Sequence, residues 1–277
     1  MAEVLVRQRV QALARALPAA RQGDVASIHK ARVATRRLRE VLPLVQSGGR
    51  GRKLRRNVRR LTRALGPVRE LDVAIETLDG FAGEVPRAAI TRLKQVLRQE
   101  RRELHAAMTR EVARVDLEKL RRRAIAGARK SPSVDVSARA ARRAVRLHAA
   151  IESAGSIYLP DRLHEVRIAV KKLRYALELA RDVKARRGSG QLRTLKDVQT
   201  LLGRMHDLEV LIARVRAVQG APHAPTLRLS GDLDRLVRRL ETECRQLHGH
   251  YMSARRALLA ICVHVSRSRA AQLSSAA

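Results

Sequence analysis

Two short stretches of this chain place a histidine ahead of a run of cations at matching intervals. From residue 29 the order is His29, Arg32, Arg36, Arg37 and Arg39; from residue 164 it is His164, Arg167, Lys171, Lys172 and Arg174. Arginine presents a planar fork of N–H donors that fits two oxygens of a phosphate or carboxylate, and lysine is a point charge with three donors. Histidine adds a donor that becomes a cation below its ordinary pKa of about 6.5. On a helix of 3.6 residues per turn, His29, Arg32, Arg36 and Arg39 share one stripe roughly 15 Å long. That length suits several consecutive phosphates better than one small anion. A merely solvated face would intersperse acids for solubility and i,i+4 pairing, yet none occurs from 29 to 39.

Further cations follow the first stretch. Lys53, Arg56, Arg60 and Arg63 form another basic stripe, with Leu54, Val58, Leu61 and Leu65 as its apolar counterpart. The corresponding row in the second half is thinner, with Arg193 and Lys196 as its candidates. Residues 1–69 hold eighteen Lys and Arg against three acids, so the N-terminal half should carry more of the electrostatic affinity.

The residues needed for turnover are harder to find. Phosphoryl transfer requires organised carboxylates and a metal beside the anion, and the repeated stripes contain cations only. No GxxxxGK[ST] loop occurs, His164-Glu165 does not continue to HExxH, and His248-Gly249-His250 lacks partners at metal-ligand spacing. The paired acids Glu70/Asp72 and Asp207/Glu209 have the chemistry to hold Mg²⁺. Their positions after Gly66-Pro67 and Gly203 favour helix capping or pairing with arginines instead. The expectation is binding without catalysis, with no metal and no cofactor.

Composition points the same way. Across 277 residues, 59 Lys and Arg face 26 Asp and Glu, a formal charge of +33, which calls for a polyanionic partner. Nucleic acid, inorganic polyphosphate and an anionic membrane surface all qualify on charge. Single-stranded nucleic acid is usually held on aromatic platforms, and here only Phe81, Tyr158, Tyr175 and Tyr251 exist, scattered. The polyanion therefore need not carry bases. Two distant cysteines, Cys244 and Cys262, give no disulfide framework, and a reducing compartment is expected. Arg and Gln interrupt the apolar positions of residues 1–17, which read as an amphipathic helix rather than a signal peptide, and no run approaches a membrane span.

The elements that must position these cations are helices. Apolar residues recur at three- and four-residue spacing, predicting helices near 2–17, 24–46, 51–65, 69–79, 86–112, 116–128, 138–154, 161–185, 190–203, 206–219 and 227–268, the last with a possible break at His248–His250. Gly48-Gly49, Gly66-Pro67, Gly188-Ser189-Gly190 and the stretch from Gly220 to Pro225 mark breaks, while Pro86 and Pro160 suit first helical turns. Residues 28–45 align without gaps to 163–180, with seven of 18 positions identical, including His29/His164, Arg32/Arg167 and Arg39/Arg174. Residues 61–73 align likewise to 198–210 through Leu65/Leu202, Gly66/Gly203, Leu71/Leu208 and Val73/Val210, with acids at Glu70/Asp207 and Asp72/Glu209. One order of segments at one spacing implies a duplicated bundle, 1–130 and 137–277, with the segment Gly127 to Ser137, which contains Ser131-Pro132-Ser133, as the linker between halves.

The pattern His-x-x-Arg-x-x-x-[Arg/Lys]-[Arg/Lys]-Leu-Arg at 29–39 and 164–174 resembles the CHAD family, the conserved histidine α-helical domain. The stretches at 65–73 and 202–210 are similar to that family's second recurring element. The resemblance covers both halves and implies an all-α fold of two pseudo-symmetric four-helix bundles with a basic groove between them. It also implies binding of inorganic polyphosphate and association with polyphosphate granules and their proteins in the cytoplasm. Carried over by position, the groove residues would be the ten cations named above, with Arg56, Arg63 and Arg69 from neighbouring helices. Tyr175 follows the second motif as in the family, whereas Glu40 stands in the first. The later element has Arg69-Glu70 where Arg-Asp is usual, and His206 occupies the basic slot of its second copy. The β-rich segment and Glu-x-Glu-x-Lys motif of a fused triphosphate-tunnel domain do not occur. A histone-like nucleic-acid-binding protein and a phosphatase or polyphosphate kinase are the competing expectations.

Overall fold

The structure is a computed structural model that describes residues 2–45, 48–129, 135–184, 190–221 and 226–274. The expected linker at Ser131-Pro132-Ser133, the Gly188-Ser189 break and most of the Gly220–Pro225 stretch lie outside these residues. Nine α-helices are present among those described: α1 (Ala2–Arg21), α2 (Val25–Val45), α3 (Gly48–Asp79), α4 (Arg87–Ala113), α5 (Leu117–Arg129), α6 (Val136–Ala154), α7 (Pro160–Lys184), α8 (Gly190–Gln219) and α9 (Leu227–Ser274). Apart from one isolated bridge, Ala82 to Val85, no β-structure occurs among them. The protein is all-α.

The chain divides into two units, Met1–Gly80 with Thr91–Val134, and Phe81–Ile90 with Asp135–Ala277. In the first, α1 packs on α2, α2 on α3, and α5 closes against α1 and α3. In the second, α6, α7, α8 and α9 pack in sequence and α9 returns to α6, forming a four-helix ring. Its core is built from Leu147, Ile151, Val166, Val170, Leu173, Leu202, Met205, Tyr251 and Leu258, all essentially solvent-free.

Local chemistry sets the ends of these helices. Asp24 accepts from the Ser27 amide at 2.7 Å, Asp116 from Lys119 at 2.8 Å and Asp135 from Ala138 at 2.8 Å, capping α2, α5 and α6. Gly23, between α1 and α2, has φ +94°, a backbone state that suits glycine. Pro160 opens α7 at its first position, as its ring favours.

Several expected breaks are absent. The helices expected at 51–65 and 69–79 are one continuous α3 that runs through Gly66-Pro67 and starts at Gly48. The pair at 190–203 and 206–219 is likewise one helix, α8, and α9 passes His248–His250 without interruption. Proline inside a helix loses a hydrogen bond and crowds the preceding turn. Burial of Leu61, Leu65, Val68 and Leu71 along one face overrides that local cost. Consequently Glu70, Asp72, Asp207 and Glu209 sit mid-helix and cap nothing.

Candidate functional site

The apolar face of α2 is set by Ile28, Ala31, Ala34, Leu38, Val41 and Leu42, all buried. This fixes the opposite, polar face, and α3 flanks it antiparallel. His29 lies within the field of Arg69, Arg32 and Arg36. The Arg32 Nη1 is 3.5 Å from the Thr62 carbonyl oxygen and would be 3.0 Å from a Cβ at Gly66. Further along, Arg39 faces Arg59 and Arg63. With Arg36 on the intervening turn, these residues form a ladder between α2 and α3.

Gly66 thus has a spatial reason. The Arg32 guanidinium occupies the space where a side chain would go. The sequence suggested a helix break; the structure shows a glycine inside a continuous helix, with the Arg32 guanidinium packed against it.

The second unit repeats the ladder between α7 and α8. Val166, Val170, Leu173 and Ala176 are buried, and Ala169 and Leu177 pack against the core. His164 on α7 meets His206 on α8, with Nδ1 to Nδ1 3.3 Å and ring centroids 4.6 Å apart. Arg167 and Lys171 bear on both rings electrostatically. His206 therefore stands where Arg69 stands in the first unit, as the sequence alignment placed it. The first helices repeat as well: Arg9 of α1 donates to the Arg37 carbonyl at 3.3 Å, and Arg143 of α6 to the Lys172 carbonyl at 2.5 Å. Arg37 and Lys172 are exposed, one residue further round the helix from the ladder.

Burial among like charges depresses every histidine of the ladders. Desolvation is the largest cause for His29, followed by Arg69 and Arg32, and for His164, followed by Arg167 and Lys171. His206 is lowered to about 4, by desolvation first, then by Arg167, His164 and Lys171. Arg39 is lowered by burial and by Arg59.

The two ladders differ in detail. In the second, Arg174 is engaged by Gln199 at 2.8 Å and by Glu178, and its guanidinium lies 4.7 Å over the half-buried Tyr175 ring. Lys171 is 9% exposed, whereas its counterpart Arg36 is more open. Arg193 and Lys196 lie exposed on α8. The first unit adds the exposed Lys53, Arg56, Arg60 and Arg63 of α3.

That α3 stripe divides in space. Arg60 turns from α2 to Glu111 of α4, Nε to Oε2 3.1 Å, and Lys53 shares its row at i, i+7. Arg59, which the sequence pattern passed over, faces Arg39 together with Arg63. The signal for Arg59 was its spacing to Gly66 at i+7, the row that looks at α2.

Two of the four repeated acids do structural work. Asp72, whose side chain is 1% exposed, accepts from Arg101 Nε at 2.5 Å, and Arg101 also donates to the Gly23 carbonyl at 2.9 Å. Glu209 accepts from the Tyr158 hydroxyl at 2.7 Å, and burial raises its pKa. Gly23 and Tyr158 lie in the turns between the first two helices of their units. Each acid thus ties down the turn that starts its ladder helix. Among the described residues, no group of three or more His, Cys, Asp or Glu is arranged to hold a metal ion.

Apart from Tyr175, the aromatic side chains are committed elsewhere. Phe81 is 1% exposed, with the Arg204 and Arg239 guanidiniums 5.6 and 5.4 Å from its centroid. Tyr251 is buried in the core, and Tyr158 is bonded to Glu209. Cys244 and Cys262 are free and buried. Among the described residues no helix is long and apolar enough to cross a membrane.

Comparison with known proteins gives a consistent picture. The CHAD domain family model matches residues 4–216. PptA from Streptomyces chartreusis has a similar fold, with a TM-score of 0.68 and 16% identity over 91% of this chain and 97% of that one. The CHAD domain from the plant Ricinus communis is similar at a TM-score of 0.59 and 20% identity, covering 95% of this chain and 89% of its own. No curated protein sequence matches this chain.

Proposed function

This chain belongs to the CHAD domain family, and from that premise we propose that it binds inorganic polyphosphate along its cation ladders without turning it over. The observation that carries the reading is the pairing of His29, Arg32 and Arg39 with Arg69, Gly66 and Arg59 across α2 and α3. Its counterpart places His164, Arg167 and Lys171 against His206. Each ladder offers cations at every turn over roughly 15 Å, matching a linear anion with a charge on every unit. Proton-poor imidazoles and crowded guanidiniums regain favourable electrostatics when phosphate oxygens enter.

Two of the acids that could serve catalysis are engaged elsewhere, which supports the reading of binding without hydrolysis. Asp72 is tied to Arg101 and Glu209 to the Tyr158 hydroxyl. Apart from Tyr175, the aromatic residues are similarly occupied, which disfavours base stacking and single-stranded nucleic acid. The setting we assign is the cytoplasm, at polyphosphate granules, where granule-associated proteins would be neighbours.

Competition separates the readings. Labelled long-chain polyphosphate should resist displacement by duplex DNA at equal phosphate concentration, and binding should weaken steeply with salt. Equal displacement by DNA would favour the histone-like alternative. Metal-dependent phosphate release that is lost on neutralising Asp72 and Glu209 would favour an enzyme.

A further inference from the structure

The flank of α3 that faces away from α2 has no role in the ladder. Lys53, Asn57, Arg60 and Ala64 follow each other at i, i+4, i+7 and i+11, one row on that side of the helix. Opposite them stands Glu111 of α4, joined to Arg60 at 3.1 Å and to Arg114. The surrounding cleft has a volume of about 1220 Å³, and Glu111 is its single acid among seven Lys and Arg. Lys53, Arg56 and Arg60 are all exposed.

Glu111 is the one carboxylate lining this cleft, and it is shared between two guanidiniums. Arg56 and Arg63, on the crest of α3, stand between the ladder flank and the cleft flank. The second unit lacks an equivalent, since the positions aligned with Lys53 and Arg60 are Gly190 and Asp197. The cleft is therefore not part of the duplicated motif.

We propose that this cleft is a second oligophosphate site, meeting the ladder at Arg59 and Arg63 but centred on Lys53 and Arg60, where a phosphate chain replaces Glu111 as the partner of Arg60. It rests on the reading that the ladders take polyphosphate, and it adds a consequence. A molecule with anion sites on both flanks of one helix holds two stretches of chain, so it cross-links polyphosphate rather than only coating it.

Calorimetry with inorganic tripolyphosphate tests this on the full chain. The triple variant R32E/R36E/R167E removes ladder binding, with circular dichroism to confirm retained helicity; the neutral R32Q/R36Q/R167Q replaces it if reversal disturbs folding. One tripolyphosphate per molecule should remain bound. Adding K53A/R60A should abolish that residual site, whereas adding E111Q should tighten it about fivefold, the size of one partly screened charge interaction. Residual binding unchanged by K53A/R60A, or no residual binding in a folded ladder variant, overturns the second site alone. Failure of the wild type to bind either tripolyphosphate or long-chain polyphosphate removes the functional reading as well.

Discussion

Acidification should act in opposite directions on this protein and on its complex, and His206 is the residue through which to see it. Its folded pKa is about 4, against an ordinary 6.5. The groups around it are His164, Arg167 and Lys171, all from α7. Because the folded pKa lies below the unfolded one, the unfolded chain binds more protons between these values. Stability from His206 is thus fully present above about pH 6.5 and is lost as pH falls toward 4. Linkage over that window gives about 2 kcal/mol at pH 5, which we discount to roughly 1 kcal/mol because the ring is partly solvated. The ordinary acid loss from carboxylates is common to wild type and variant, so the difference isolates the histidine. Urea melts of wild type and His206→Gln at pH 8 and pH 5 should show wild type losing about 1 kcal/mol more than the variant. Phosphate oxygens beside the rings would restore the imidazolium, so on the proposed function polyphosphate binding should take up protons and tighten on acidification. Calorimetry in buffers of different ionisation enthalpy counts those protons. Equal pH dependence of stability in wild type and H206Q, together with no proton uptake at pH 5.5, would refute the reasoning.

Other outcomes follow from particular contacts. Gly66→Ala should keep or slightly raise stability, since alanine is favoured over glycine in a helix by about 1 kcal/mol. It should nevertheless weaken polyphosphate binding, because the new Cβ would stand 3.0 Å from Arg32 Nη1; melts and fluorescence anisotropy read the two effects separately. Arg101→Ala leaves the Asp72 carboxylate buried without its cation and should cost about 3 kcal/mol in chemical denaturation. Gly23→Ala should lower the melting temperature, both from its positive φ and because His105 lies 3.4 Å from the added Cβ. Lys171 is a poor choice for charge reversal, since its burial predicts loss of helicity, whereas Arg36→Glu should leave the circular dichroism spectrum unchanged.

Much of this architecture is legible in the residues. Leu38, Leu42, Leu173 and Val166 recur at helical spacing, and the His/Arg stretches repeat in register, so the two ladder helices and their polar faces follow from periodicity. What periodicity cannot supply is the partner of each face. Lys53, Arg56, Arg60 and Arg63 form one stripe on paper, yet Arg60 looks to Glu111 and Arg63 to Arg39, because the stripe straddles the crest of α3. Gly66-Pro67 carries the local signature of a break, and only the buried Leu65, Val68 and Leu71 explain why α3 continues. The acids were equally ambiguous. Asp72 and Glu209 needed Arg101 and Tyr158, 29 and 51 residues away, to reveal that they anchor turns.

The most direct test is the structure of the protein crystallised with long-chain polyphosphate. The chain of phosphates should lie along α2 and α3 beside His29, Arg32 and Arg69, and along α7 and α8 beside His164, Arg167 and His206. Phosphates bound with these side chains untouched would contradict the central claim.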